Sequence, residues 1–190
     1  PLVERAARAF ELKQFEAAGQ LALEVLELAP TQPGALATLY RLRRAQNNIP
    51  ATEALLRRFV ALYPNDLTAT CDLALLLKQI GKLGDAEIHA RNAVRIAPTN
   101  PGPHNLMGMI LTDANRPRVG EFHYRRVLEL TGRRDPILLA NLAWNLKTQG
   151  RIAEARALYE ESVAAAPDIM LTWLRWARME EADRDFPRAF

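Results

Sequence analysis

The sequence contains a single cysteine, Cys71, which excludes an internal disulfide framework and a metal site built from cysteines. It has no run of about 18 apolar residues, so no segment is predicted to span a membrane. Charge of one sign is not in large excess either, because 25 basic and 22 acidic side chains leave a net charge of +3. Nucleic-acid binding needs clustered positive charge, so no nucleic-acid partner is indicated. The remaining composition is typical of a folded soluble protein, for which we expect a cytoplasmic location.

What the sequence does contain is a repeat with a period of 34 residues. Pro30, Pro64 and Pro98 are spaced 34 residues apart, the next step falls on Gly132, and Pro167 follows 35 residues later. Three further columns keep this spacing. One is small (Ala18, Thr52, Ala86, Gly120, Ala155, Ala189), one is apolar (Phe15, Ile49, Leu83, Pro117, Ile152, Phe186), and one is small with a single exception (Ala6, Tyr40, Ala74, Gly108, Ala143, Ala177). Small residues at a fixed point in each repeat predict that two helix backbones approach closely there.

Within each repeat the pattern predicts a helix, a turn and a second helix. In the third repeat, apolar residues recur at helical spacing from Leu73 to Ile80, and Gly81 then interrupts the pattern. A second apolar run follows Asp85, which is predicted to cap that helix. β-branched residues are few and do not alternate with polar ones, so no strands are expected. The sequence therefore predicts an all-α protein.

These columns resemble the tetratricopeptide repeat family. The fifth repeat fits the family pattern best, with an apolar–small pair at Leu142-Ala143, an Ala-x-x-x-aromatic pair at Ala155 and Tyr159, and a closing Pro167. The resemblance implies a right-handed α-α superhelix, a solenoid of about five helical hairpins plus a partial sixth. A single array over 1–190 is expected, with repeats at 1–30, 31–64, 65–98, 99–132, 133–167 and 168–190.

Two features depart from a regular array. Tyr40 stands where other repeats have a small residue, so the two helices of that repeat are expected to separate or tilt. At the other end, Trp173, Trp176 and Met179 are expected to need a partner, because each repeat buries its faces on its neighbours. We therefore expect the chain to be a piece of a longer protein that continues downstream, and we expect some end-to-end association through the exposed apolar ends.

No constellation in the sequence indicates catalysis, a cofactor or a metal, and we predict that this segment is not an enzyme. His104 falls in an apolar column and is interpreted as a half-buried packing residue. His89 and His123 occupy equivalent places in adjacent repeats, and without further ligands at metal-binding spacing both are interpreted as solvated. Cys71 is interpreted as an inert thiol.

The remaining candidate is a surface. In tetratricopeptide repeats the first helices line the concave face, and the resemblance places seven candidate peptide-binding residues there: Asn105, Met109, Asn141, Trp144, Lys147, Arg175 and Arg178. Amide, indole and cationic groups suit an extended acidic or C-terminal peptide. The alternative is a solvated face on which Trp144 merely covers a joint between repeats. Asn141 and Arg175 match two of the five residues with which related modules clamp chaperone C-termini, and we regard two as insufficient for that assignment.

The predicted function is therefore a protein–protein interaction scaffold that binds a peptide or protein segment in the concave groove. The alternative is the non-catalytic portion of a larger enzyme. The run from Trp173 to Ala182 resembles bacterial tetratricopeptide arrays that are joined to sulfotransferase or glycosyltransferase domains. More repeats downstream would favour the scaffold, and an α/β nucleotide-binding pattern would favour the enzyme.

Overall fold

The computed structural model describes residues 1–185, and all the regular structure in that part of the chain is α-helical. The helices are α1 (Leu2–Glu11), α2 (Phe15–Leu28), α3 (Pro33–Ala45), α4 (Ile49–Leu62), α5 (Leu67–Gln79), α6 (Leu83–Ile96), α7 (Pro101–Asp113), α8 (Pro117–Thr131), α9 (Pro136–Thr148), α10 (Ile152–Ala165) and α11 (Met170–Asp185). The predicted all-α repeat is confirmed. Phe186 and Ala189, the last members of the apolar and the first small column, lie outside the described residues.

The chain divides into two compact units, which we describe separately. The N-terminal unit, Pro1–Gly81, contains α1 to α5, and the C-terminal unit, Lys82–Phe190, contains α6 to α11. In both units, helices that are consecutive along the chain pack against each other as hairpins. The predicted third repeat is divided between the units at Gly81.

Turns within a repeat are three residues long, and connections between repeats are four residues long. The middle residue of each three-residue turn has a positive φ; these residues are Lys13, Asn47, Gly81, Asn115 and Gly150. Glycine adopts this left-handed conformation without a steric penalty, and asparagine tolerates it better than most residues do. The turns therefore have a uniform backbone geometry, although their sequences differ.

The proline column explains where four of the second helices end. Ala29, Tyr63, Ala97 and Ala166 each precede a proline and leave the helical conformation as helix C-caps. A residue before proline is sterically driven out of the α region, so the helix stops there. The fourth repeat ends differently: α8 has 15 residues where the other second helices have 14, and Gly132 closes it with a φ of 61°. The extra residue in the repeat period is thus absorbed by α8.

Capping differs between first and second helices. The first helices α3, α5, α7 and α9 have side-chain caps from Gln32, Asp66, Asn100 and Asp135. The prediction that Asp85 caps α6 is wrong, because α6 begins at Leu83 and has no side-chain cap. Asp85 lies in the first turn, where its negative charge interacts favourably with the helix dipole.

The small column that begins at Ala18 packs as predicted. Ala18, Thr52, Ala86 and Ala155 are fully buried. In the α7–α8 hairpin, a Cβ atom on Gly120 would lie 2.9 Å from the carbonyl oxygen of Gly108, closer than real Cβ contacts. Only glycine at this position permits the two backbones to come so near.

Tyr40 is accommodated by an aromatic contact. Its ring is buried and meets Phe59 of α4 edge to face, with ring centroids 6.0 Å apart. Its hydroxyl donates to Asp72 over 3.2 Å, and burial, followed by the charge of Asp72, raises the pKa of Tyr40 to about 12. As expected for the larger residue, α3 and α4 pack less closely than α7 and α8.

The expectation that Trp173, Trp176 and Met179 all need a partner is wrong for two of them. Met179 is 1% exposed, and Trp176 packs against the core and stacks on Tyr159. Both residues face the hairpin formed by α9 and α10. This hairpin supplies the apolar contacts that we expected from a further repeat downstream. Trp173 keeps 44% of its surface exposed. Leu171 is also exposed, so end-to-end association stays a prediction.

In residues 1–185 no helix combines the length and the apolar character that crossing a bilayer requires.

Candidate functional site

Three polar side chains join neighbouring first helices in the C-terminal unit. Asn105 lies on α7, Asn141 on α9 and Arg175 on α11. The Arg175 guanidinium donates to Oδ1 of Asn141 over 3.0 Å, and Nδ2 of Asn141 lies 3.4 Å from Oδ1 of Asn105, a long contact. We call this chain of three residues the polar ladder, and the surface formed by α7, α9 and α11 the first-helix face.

The direction of these hydrogen bonds leaves donors free at both ends of the ladder. Oδ1 of Asn105 accepts the last bond, and within residues 1–185 its Nδ2 has no acceptor. At the other end, Arg175 uses one nitrogen on Asn141, and its other nitrogens have no hydrogen-bond acceptor in the described chain. Because the donors outnumber the acceptors, the ladder is suited to carbonyl or carboxylate oxygens of a ligand.

The other candidate residues divide between surface and core. Trp144 is half-buried on α9, and the Lys147 ammonium lies over its ring, 4.9 Å from the centroid, in a cation–π contact. Arg178 is exposed and makes no ion pair in the part of the chain that the structure describes. Met109 packs against the apolar core of the C-terminal unit, so part of its surface is structural.

An ion pair joins two first helices of the N-terminal unit. Arg44 donates to Asp72 over 2.9 Å, and the hydroxyl of Tyr40 donates to the same carboxylate. Arg44 and Asp72 are two of the charges that the family pattern places on the groove. In the C-terminal unit, Lys147, Arg175 and Arg178 share the first helices with the acidic residues Asp113 and Glu181.

A pocket opens beside the polar ladder. Its volume is about 420 Å³, and Asn105 belongs to both the pocket and the ladder. We call it the junction pocket, because it lies where α8 leads into α9. Its lining residues are Pro101, Gly102, Asn105, Val127, Thr131, Arg133, Asp135, Ile137 and Leu138.

Comparison with known proteins agrees with this architecture. Residues 138–169, which span the α9–α10 hairpin, match the family model described as tetratricopeptide repeat. TTC0263, a thermophilic TPR protein in Thermus thermophilus, has 21% sequence identity and a TM-score of 0.67, with 94% of this chain and 96% of that chain covered. The chain has the tetratricopeptide-repeat fold.

Other solved structures of tetratricopeptide repeats are similarly related. YrrB, described as a TPR protein with an unusual peptide-binding site, has 14% identity and a TM-score of 0.79, with 91% of this chain and 89% of that chain covered. A tetratricopeptide repeat protein from Parabacteroides merdae ATCC 43184 has 14% identity and a TM-score of 0.82, with 94% and 70% covered. No curated protein sequence matches the chain.

The polar ladder uses the two residues that tetratricopeptide carboxylate clamps share with this chain. Asn141 and Arg175 bond to each other, and Leu171, where the clamp has a lysine, is exposed and apolar. The face therefore combines a short polar line with apolar surface.

A buried asparagine in the fifth tetratricopeptide repeat was not singled out from the sequence. Asn145 is 0% exposed, and its Nδ2 donates to the Thr112 hydroxyl over 2.7 Å and to the Pro117 carbonyl over 2.8 Å. Its Oδ1 accepts from Gln149. The available signal was its register, because the equivalent residues of the second, third and fourth repeats are Leu42, Leu76 and Ile110.

Next to Asn145 lies a buried carboxylate. Both oxygens of Glu121 accept from the Arg151 guanidinium, and one also accepts from Gln149. Burial alone would raise the pKa of Glu121, but these hydrogen bonds and the charge of Arg125 hold it below its ordinary value. Glu121 and Asn145 together fix the α9–α10 turn against α8.

The prediction that His123 is solvated is wrong. Its Nδ1 lies 3.1 Å from Nδ1 of His104, whose Nε2 lies 3.0 Å from the Pro98 carbonyl. A carbonyl oxygen only accepts, so His104 carries its proton on Nε2, and His123 donates from Nδ1. His104 is buried rather than half-buried. No group of three or more potential metal ligands occurs in residues 1–185.

The histidine pair predicts acid sensitivity. Burial, followed by the charge of His104, lowers the pKa of His123 to about 4, against about 6.5 in an unfolded chain. Because unfolding then binds a proton, stability should be fully present above pH 6.5 and should fall as the pH decreases from 6.5 towards 4. Thermal melts between pH 7.5 and 5 should show this loss, and His123→Gln should reduce it. Equal slopes for the unmodified chain and His123→Gln would contradict the prediction.

Burial also raises the pKa of the Cys71 thiol, and the charge of Asp72 adds to this effect. A raised pKa lowers the thiolate fraction, in agreement with an inert thiol.

Proposed function

We propose that this chain is a protein-interaction scaffold that binds an extended peptide segment on the first-helix face of its C-terminal unit. The tetratricopeptide-repeat fold generally supports interaction scaffolds, and in that family the first helices line the concave groove. The observation that carries the proposal is the polar ladder, whose free donors lie at both ends of the line formed by Asn105, Asn141 and Arg175.

The surroundings of the ladder favour an acidic segment. Lys147, Arg175 and Arg178 place three positive charges on two neighbouring helices of this face. Trp144 offers a half-buried indole, the type of residue that most often anchors an interface. The resemblance to YrrB, whose structure is described as containing a peptide-binding site, supports a peptide ligand. Since the face is built from helices already packed together, most of the ordering cost falls on the peptide.

Selection of phage-displayed random peptides against the whole chain tests this proposal, followed by calorimetric titration of one selected peptide. Trp144→Ala should weaken binding about 30-fold, because it removes a central aromatic anchor. Arg178→Glu should weaken binding about tenfold, mainly through slower association at low salt. Circular dichroism should show unchanged helicity in both variants.

Two control variants lie on second helices. Ile88→Ala removes an exposed apolar side chain of α6, and Arg118→Glu reverses an exposed charge of α8. Both should bind the selected peptide like the unmodified chain. If Trp144→Ala and Arg178→Glu bind equally well, the first-helix face is not the binding surface.

A cytoplasmic location is part of the proposal, because one cysteine permits a reducing compartment.

A further inference from the structure

The junction pocket arises where the repeat departs from its period. In the other connections, the second residue is Pro30, Pro64, Pro98 or Pro167, and the corresponding residue after α8 is Arg133. Proline is dispensable here because Gly132 ends the helix in a left-handed conformation. The position that would otherwise hold a helix terminator therefore presents a cation at the rim of the pocket.

The two helix N-termini at the pocket offer no free N–H group in their first three residues. In α7, Pro101 and Pro103 have no N–H, and the N–H of Gly102 donates to Asn100. In α9, Pro136 has none, and the next two N–H groups donate to Asp135. The pocket is therefore not a helix-terminus anion site of the usual kind.

The walls of the pocket are mainly apolar. Val127 and Leu138 are buried and form part of the lining, and Ile137 is 56% exposed there. Pockets that accept small organic groups have volumes from about 300 Å³ upward, and the junction pocket falls within that class. Such a site accommodates a large aliphatic or aromatic side chain and gains affinity from burying it.

Charge at the rim favours an acidic neighbour for that side chain. The Asp135 carboxylate accepts two backbone N–H groups of α9. The Arg133 guanidinium has no hydrogen bond or ion pair within residues 1–185. The adjacent Arg134 differs, because it pairs with Glu161 of α10. One unpaired cation beside an apolar pocket complements a carboxylate next to an apolar group.

We propose that the junction pocket receives one large apolar side chain of the peptide on the first-helix face, and that Arg133 pairs with an acidic residue next to it. This inference rests on the proposed function and specifies the partner: a protein segment in which leucine, phenylalanine or a similar residue adjoins glutamate or aspartate. Asn105 links the pocket to the polar ladder, so the anchor and the extended backbone occupy one continuous site.

The first experiment uses a dipeptide probe and does not depend on a longer ligand. N-acetyl-phenylalanyl-glutamate amide, added to methyl-labelled full chain, should shift the NMR signals of Val127, Ile137 and Leu138 with a dissociation constant in the millimolar range. The matched alanyl-glutamate and phenylalanyl-glutamine probes should bind at least about fivefold more weakly, because each lacks one of the two groups. Absence of shifts with the phenylalanyl-glutamate probe would overturn the assignment of the pocket.

The second experiment uses variants and the selected peptide. Ile137→Trp fills the pocket and Arg133→Glu reverses the rim charge, and each should weaken binding about tenfold. Ile88→Trp and Arg118→Glu are matched controls on exposed second-helix positions and should bind normally. If the peptide binds and both pocket variants retain full affinity, the junction-pocket proposal fails and the proposed function stands. If the dipeptide shifts the pocket methyls and no selected peptide binds, the pocket assignment stands and the proposed function fails.

Discussion

Replacing Asn145 by alanine should lower the free energy of unfolding of the C-terminal unit by about 2–4 kcal/mol. The side chain is fully buried and bonds Thr112, Pro117 and Gln149, which belong to α7, to α8 and to the turn after α9. Truncation opens a cavity and removes three hydrogen bonds, each worth about 0.5–1.5 kcal/mol, although Thr112 still donates to Gly108 and Gln149 still donates to Glu121. Urea denaturation followed by circular dichroism measures the change.

Asn65→Ala is the matched control, because Asn65 is exposed in the connection between α4 and α5 and its amide makes no hydrogen bond in the described residues. It should change stability by about 0.5 kcal/mol or less. Asn145→Leu separates the contribution of the cavity to the loss of stability from that of the hydrogen bonds. Leucine fills most of the volume but satisfies none of the three partners, so a cost that persists in this variant comes from the hydrogen bonds. Full stability in Asn145→Ala would show that these bonds contribute nothing net.

Helix ends could be predicted from the sequence where covalent geometry alone decides them. A residue before proline leaves the α region whatever packs around it, so Ala29, Ala97 and Ala166 end their helices as the proline column indicates. Helix starts were harder to predict. The prediction for Asp85 relied on a capping residue, yet α6 begins two residues earlier. In the turn before α6, Gly81 has a left-handed backbone conformation, and this conformation determines where α6 begins.

Placement of the polar ladder followed from register. Asn141 and Arg175 are 34 residues apart, so a regular repeat puts them side by side on neighbouring first helices. The sequence could not give the hydrogen-bond direction, which depends on how the two amides turn. The sequence also led to a wrong prediction for His123. The repeat period aligns His123 with His89 and gives no information about α7, the helix that faces it. The contact with His104 joins α7 and α8 within one hairpin.

The partners of Asn145 and the junction pocket could not be predicted from the sequence alone. Asn145 interrupts a column of apolar residues, and that signal alone does not identify its partners. Thr112 and the Pro117 carbonyl come within reach because glycine at 108 and 120 lets α7 and α8 approach closely. The junction pocket has the same kind of origin. In the sequence, the pocket is indicated by the single extra residue in the repeat period. Where that residue is placed depends on α8, which is one residue longer than the other second helices, and the sequence does not show this.

The second large effect concerns the close contact between α7 and α8. A Cβ atom on Gly108 would lie 2.8 Å from two ring carbons of Tyr124, which is 1% exposed. Gly84→Ala is the matched control, since nothing lies within 4 Å of its Cβ position in α6. Gly108→Ala gains about 1 kcal/mol of helix propensity in the interior of α7, and Gly84→Ala gains less because it lies in the first turn of α6. Only Gly108→Ala overpacks the core, so the two variants should differ in unfolding free energy by about 1–3 kcal/mol.

The second repeat indicates how this loss can be recovered. There the large residue lies on the first helix: Tyr40 occupies the place of Gly108, and Leu56 occupies that of Tyr124, and both are buried. A leucine on the second helix is thus compatible with a side chain on the first. Gly108→Ala combined with Tyr124→Leu should therefore cost less than the sum of the single changes, with a coupling of about 1–2 kcal/mol in a double-mutant cycle. Additive losses would mean that the ring of Tyr124 is not what excludes a larger residue at position 108.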